Sequence, residues 1–162
     1  DGAFLPPFAA AETGVRMLDG CTGLDSVSLS GFAAGAKADL SYMLAGAGAE
    51  GSAFDLTNVA SSAPGANLSH MMDGAHATSV ELTAVGQGAD ADLSYMTANC
   101  TSLGNVTYMN VGTGAGANAS YMMSGCTSLT DVTMAKVASG TNANLTGMFQ
   151  GCSVFGGGRP LR

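Results

Sequence analysis

The residues of this chain whose types could do chemistry are four cysteines, ten methionines, two histidines and five N-x-[ST] triplets. Thiols and thioethers together could hold a soft metal ion or carry a redox step. His70 and His76, with serine and aspartate nearby, could be read as part of a nucleophile-activating set. The triplets begin at Asn67, Asn99, Asn105, Asn118 and Asn144, and each fits the acceptor pattern for an N-linked glycan. Spacing decides among these readings. Cys21, Cys100, Cys126 and Cys152 fall at one position of a repeat, with no C-x-x-C and no histidine in register, so the usual zinc patterns are missing. Such a column suits a small buried apolar residue. Neighbouring thiols in it would lie about 5 Å apart, within disulfide range, which leaves the redox state open. No element orients either histidine as a base. Glycine-rich runs such as GTGAGANAS lack the G-K-[ST] that ends a phosphate loop. The sequence therefore assigns no catalytic, cofactor-binding or metal-binding residue.

The element that positions these residues is an internal repeat. Aligned on methionine, the chain reads RMLDGC, YMLAGA, HMMDGA, YMTANC, YMMSGC and GMFQGC, anchored at Met17, Met43, Met71, Met96, Met122 and Met148 with spacings of 26, 28, 25, 26 and 26. After the first five anchors comes a V-x-L-like pair: Val27 and Leu29, Phe54 and Leu56, Val80 and Leu82, Val106 and Tyr108, Val132 and Met134. Alternation puts these on one face of a short strand. Ser28, Asp55, Glu81, Thr107 and Thr133 then face solvent. The methionine segment, L-[ST]-Y-M-x-x-G, reads as one turn of helix. Ser41, Ser69, Ser94, Ser120 and Thr146 supply N-cap hydroxyls. Gly46, Gly74, Gly125 and Gly151, with Asn99 in the fourth copy, supply a left-handed stop. Leu40, Met43 and Leu44 would point inward. A third, Gly/Ala-rich arc carries Asp39, Asn67, Asp92, Asn118 and Asn144, which could satisfy turn backbone groups.

These features predict a repeat solenoid: a right-handed, leucine-rich-repeat-like coil of about six turns of ~26 residues, each with one short β-strand and one short helical turn. Residues 1–14 form an N-terminal extension, 15–155 the solenoid and 156–162 a Gly-rich tail. One further column, Tyr42, His70, Tyr95 and Tyr121, could pack over the coil edge or offer an aromatic surface to sugars or a partner chain.

Copies such as NASYMMSGCTSLTDVTM and NLSHMMDGA resemble the BspA-like leucine-rich repeats, the Mycoplasma-type surface repeat, over about residues 15–155. The shared core is M-x-x-G-C-x-S-L. Phe follows the anchor only at Phe149, and Ala47 and Ala75 stand where the family has cysteine. The resemblance implies an extracellular or cell-surface protein used for adhesion or display, without catalytic residues.

Composition narrows the partners. Five Lys+Arg against twelve Asp+Glu give a net charge of −7, a poor match to nucleic acid or anionic lipid. No apolar run is long enough to span a membrane. The chain opens at Asp1, which reads as a processed, secreted protein or a fragment of a longer one. Phe4, Leu5 and Phe8, with Phe155 near the other end, could cap the rod or dock on the next subunit, because heterologous contacts that do not close build filaments. The expected function is a structural or adhesive extracellular protein whose partners are itself, head to tail, or a host or matrix surface. Carbohydrate binding through the Tyr column is an alternative, and ice binding by the outward strand residues a lesser one.

Overall fold

A computed structural model of the chain describes residues 13–34 and 37–152, and the backbone of 3–5. Its frame is one sheet of six parallel strands in sequence order: β1 (Ala3–Leu5), β2 (Ser26–Ser30), β3 (Ala53–Thr57), β4 (Ser79–Thr83), β5 (Asn105–Val111) and β6 (Asp131–Val137). Parallel strands that pair only with their sequence neighbours define a parallel β-solenoid. Each strand and the turns after it make one rung on the next.

Register follows from the alternation in sequence. Val27 pairs with Phe54, Phe54 with Val80, Val80 with Val106 and Val106 with Val132. Leu29, Leu56, Leu82, Tyr108 and Met134 form the adjacent row. Both rows are buried through β5 and half-buried in β6. The residues between them, Ser28, Asp55 and Glu81, are exposed. Opposite the sheet, Leu40, Met43, Leu44, Leu68, Met71, Met72, Leu93, Met96, Met122 and Met123 close the core, all without solvent contact. A second ladder of parallel bridges joins Thr13, Asp39, Asn67, Asp92, Asn118 and Asn144. In the third arc, a Cβ added at Gly114 would overlap the Gly88 carbonyl, and one at Gly140 would overlap that of Gly114. The rungs there touch backbone to backbone.

The methionine segment is not helical, and no helix occurs among the described residues. The expected helical turn is replaced by a run of β-turns whose N–H groups alternate in direction. Those of Met43, Ala45 and Ala47 close turns onto the carbonyls of Leu40, Tyr42 and Leu44 at 3.2, 3.1 and 3.1 Å. Those of Leu40, Tyr42, Leu44 and Gly46 leave the rung and donate to the carbonyls of Asn67, Ser69, Met71 and Asp73 at 2.8, 3.3, 2.7 and 2.9 Å. The physical reason is a left-handed residue in mid-segment: φ is +56° at Tyr42, +55° at His70, and +54° at Tyr95 and Tyr121. A right-handed helix cannot continue through such a residue.

The serine column also has a different role from an N-cap. Ser41 donates both its N–H (3.1 Å) and its hydroxyl (2.8 Å) to Asp39 Oδ1. Ser69 does the same to Asn67 (3.0 and 2.7 Å), and Ser120 to Asn118 (3.2 and 2.7 Å). The Asx residue is thus the acceptor, in an Asx-turn, and the hydroxyl is a donor. The glycine column does take left-handed values, with φ of +60°, +68°, +75° and +73° at Gly46, Gly74, Gly125 and Gly151, and +55° at Asn99.

Candidate functional site

The face built from these turns gathers most of the residues singled out in the sequence. Because Tyr42, His70, Tyr95 and Tyr121 share one backbone conformation on successive rungs, their rings project in parallel. Tyr42 and His70 stack with centroids 4.6 Å apart and planes 5° apart. His70 and Tyr95 follow at 4.8 Å and 2°, then Tyr95 and Tyr121 at 5.0 Å and 12°. The Arg16 guanidinium lies 4.5 Å from the Tyr42 centroid and closes one end as a cation–π contact; it also pairs with Asp19. The ring of Tyr121 occupies the space that a side chain at position 147 would need, and Gly147 leaves it free. The column is half-buried. Its ring faces lie against one another and its edges face outward.

Beside the stack, His70 Nδ1 meets Asp73 Oδ2 at 2.7 Å, and the Asn99 side-chain amide donates to Asp73 Oδ1 at 2.9 Å. This is a His–Asp contact, but the histidine ring is held between two tyrosines. His76 lies in the following loop and is exposed.

The cysteines occupy one column behind the turns and are all free thiols. Cys100 donates to the Met72 carbonyl at 3.1 Å, Cys126 to that of Thr97 at 3.0 Å and Cys152 to that of Met123 at 2.9 Å. The hydrogen bond with Cys126, followed by burial, pushes the Cys100 thiol well up. Burial pushes the Cys152 thiol up to about 11. The hydrogen bond with Cys100 instead pulls the Cys126 thiol down. Among the described residues, no group of three or more His, Cys, Asp or Glu side chains could hold a metal ion.

Of the five sequon asparagines, three belong to the Asx ladder. Asn118 donates to Asp92 Oδ1 at 3.2 Å and Asn144 to Asn118 Oδ1 at 3.3 Å, while Asn67 accepts from Ser69. Asn99 is engaged with Asp73, and Asn105 opens β5 in an exposed position. Phe4 and Leu5 lie in β1, with Phe4 paired to Ser28 and Leu5 to Leu29. Phe8 and Phe155 lie outside the described residues. On the strand face, Asp55 and Glu81 stand in register on β3 and β4 in a shallow depression lined also by Ser79, Asn105 and Thr107.

Sequence reasoning missed two features. The first is the left-handed aromatic column, for which the signal was Gly147 at the same repeat position. The second is a buried polar pair, in which the Tyr108 hydroxyl donates to Thr97 Oγ1 at 2.8 Å and Thr97 donates to the Met122 carbonyl at 3.0 Å. The anchor M-T-A-N-C, with threonine where Leu44 or Met72 stands in other copies, was its only trace.

Comparisons of the chain with protein-family models, with curated proteins and with solved structures find no match.

Proposed function

We propose that the chain is a non-enzymatic structural and adhesive repeat protein of the cell surface or extracellular space. In this reading it is a leucine-rich-repeat-like rod of about six coils, akin to the BspA-like surface repeats in its M-x-x-G-C-x-S-L motif. One observation carries the proposal: the side chains with chemical potential are committed to holding rung on rung. Tyr and His ring faces stack on each other, thiols donate to neighbouring carbonyls, and Asx side chains bridge turns. A solenoid of this kind is a shaft whose outer faces are available for display. The strand face, with Ser28, Asp55, Glu81 and Thr133 exposed, is the surface offered to a host or matrix partner. Carbohydrate binding through the Tyr column has less support, because a sugar would stack on ring faces that already cover one another.

The test is location. An antibody to the folded chain should label intact, unpermeabilised producing cells or their secreted matrix. Signal confined to permeabilised cells would overturn the reading.

A further inference from the structure

The two ends of the described solenoid are complementary in a way that the rungs inside it already demonstrate. On the turn face, every rung donates four N–H groups to the next. The last such set runs from Ala119, Tyr121, Met123 and Gly125 to the carbonyls of Asn144, Thr146, Met148 and Gln150, at 2.8, 2.9, 2.9 and 2.8 Å. The same positions one repeat on are Leu145, Gly147, Phe149 and Gly151, whose N–H groups meet no backbone acceptor among the described residues. At the opposite end, the carbonyls of Thr13, Val15, Met17 and Asp19 occupy the acceptor positions and meet no backbone donor among the described residues. Four donors thus face one way and four acceptors the other, at the same spacing. The apolar surface agrees. The exposed large hydrophobic residues among those described are Val15 (43%), Met17 (42%) and Leu145 (48%), all on these two end rungs. Among the described residues, β6 is the last strand of the sheet and β1 the first.

We infer that the partner of each end is the opposite end of a second copy of this chain. Leu145, Gly147, Phe149 and Gly151 donate to Thr13, Val15, Met17 and Asp19 of that copy. The junction repeats the rung-to-rung contact within the chain, so the column of thiols runs through it and sets Cys152 of one copy beside Cys21 of the next. At the strand spacing of about 4.8 Å, this pair is within the Cα range of a disulfide. The inference rests on the structural reading above and names its partner.

Two experiments on the full chain test it. Sedimentation across protein concentration and salt should show head-to-tail oligomers. They should grow as salt screens the charge of −7 per copy. Val15→Lys with Met17→Glu, or Leu145→Lys, should abolish growth, while His76→Lys in mid-rod should leave it intact. The replaced residues are exposed, and circular dichroism checks that each variant is folded. Diamide then tests the register: two thiols give up two electrons and two protons to its N=N bond, forming one disulfide and a hydrazine. Cys21→Ala and Cys152→Ala chains copy the alanines natural to the column at Ala47 and Ala75. Each alone should give no covalent dimer, and their mixture should give dimers. A wild-type chain that stays monomeric at every salt, its ends covered by its own remaining residues, overturns the inference. So does a dimer in Cys21→Ala alone, which would be tail to tail. A monomer that still labels the cell surface overturns the junction and leaves the surface reading standing.

Discussion

Ser52 is buried, and its hydroxyl has no hydrogen-bond partner. Desolvating a hydroxyl without a partner costs about 1–3 kcal/mol, so Ser52→Ala should be neutral or raise stability by up to about 1 kcal/mol. Thr97 is the opposite case. Its hydroxyl accepts from the buried Tyr108 hydroxyl and donates to the Met122 carbonyl, so Thr97→Val strands the Tyr108 hydroxyl, while the Met122 carbonyl keeps the Thr97 N–H, and should cost about 1–3 kcal/mol. Urea unfolding of both variants checks the pair; equal effects would mean that burial alone, not partnering, sets the cost. Neither residue was legible as special in the sequence. Ser52 sits in a Gly/Ala-rich arc like any turn serine, and Thr97 gains a role only when Tyr108, eleven positions on, folds beneath it. What was legible at this scale was polarity by position: Val27 and Leu29 in, Ser28 out, because a strand turns each successive side chain to the opposite face.

Every turn segment but the last, where Gly147 stands, holds a bulky residue in the left-handed region, which costs about 1–2 kcal/mol for a residue with a Cβ. Stacking of neighbouring rings returns about 0.5–1.5 kcal/mol per pair, so the column persists because it is continuous. The two terms separate at Tyr95, which stacks on both sides. Tyr95→Ala loses both ring contacts and keeps the backbone strain, whereas Tyr95→Gly loses the contacts and relieves it. The glycine variant should therefore be the more stable by about 1 kcal/mol, the reverse of the order usual inside regular structure. Thermal unfolding decides, and an alanine variant as stable as the glycine one would remove strain from the account. The strand and its register were legible from the V-x-L period. The turn segment was not, because a serine start and a glycine stop mark a helical turn and an Asx-turn run equally well. The deciding residue, Tyr42, is one that L-sequences rarely place at positive φ. That the tyrosines form a column was readable from the repeat; that they cover each other's faces needed the rung spacing.

Along the whole rod, each rung contacts only its neighbours, and one column of thiols runs behind the turns. Folding holds the Cys152 thiol protonated up to about pH 11, whereas in the unfolded chain it ionises near pH 9; Cys100 and Cys126 are shifted in opposite directions by the hydrogen bond between them. Between about pH 9 and 11 Cys152 keeps its proton longer in the folded state than in the unfolded one, so its contribution to stability falls as pH rises through that window and is nil below it. Urea midpoints from pH 7 to 11 should therefore decline less steeply above pH 9 in a Cys152→Ala chain than in the unaltered one; identical profiles would show that Cys152 ionises as freely when folded. The alternating N–H groups of the turn face have one further consequence. The set that leaves each rung points the same way at every level, so its peptide dipoles add along the axis as they do in an α-helix. The turn face therefore carries an electrical polarity, negative where Val15 and Met17 present carbonyls and positive where Gly147 and Phe149 present N–H groups. The Arg16 guanidinium, fixed over Tyr42, sits at the negative pole, where a cation is stabilised.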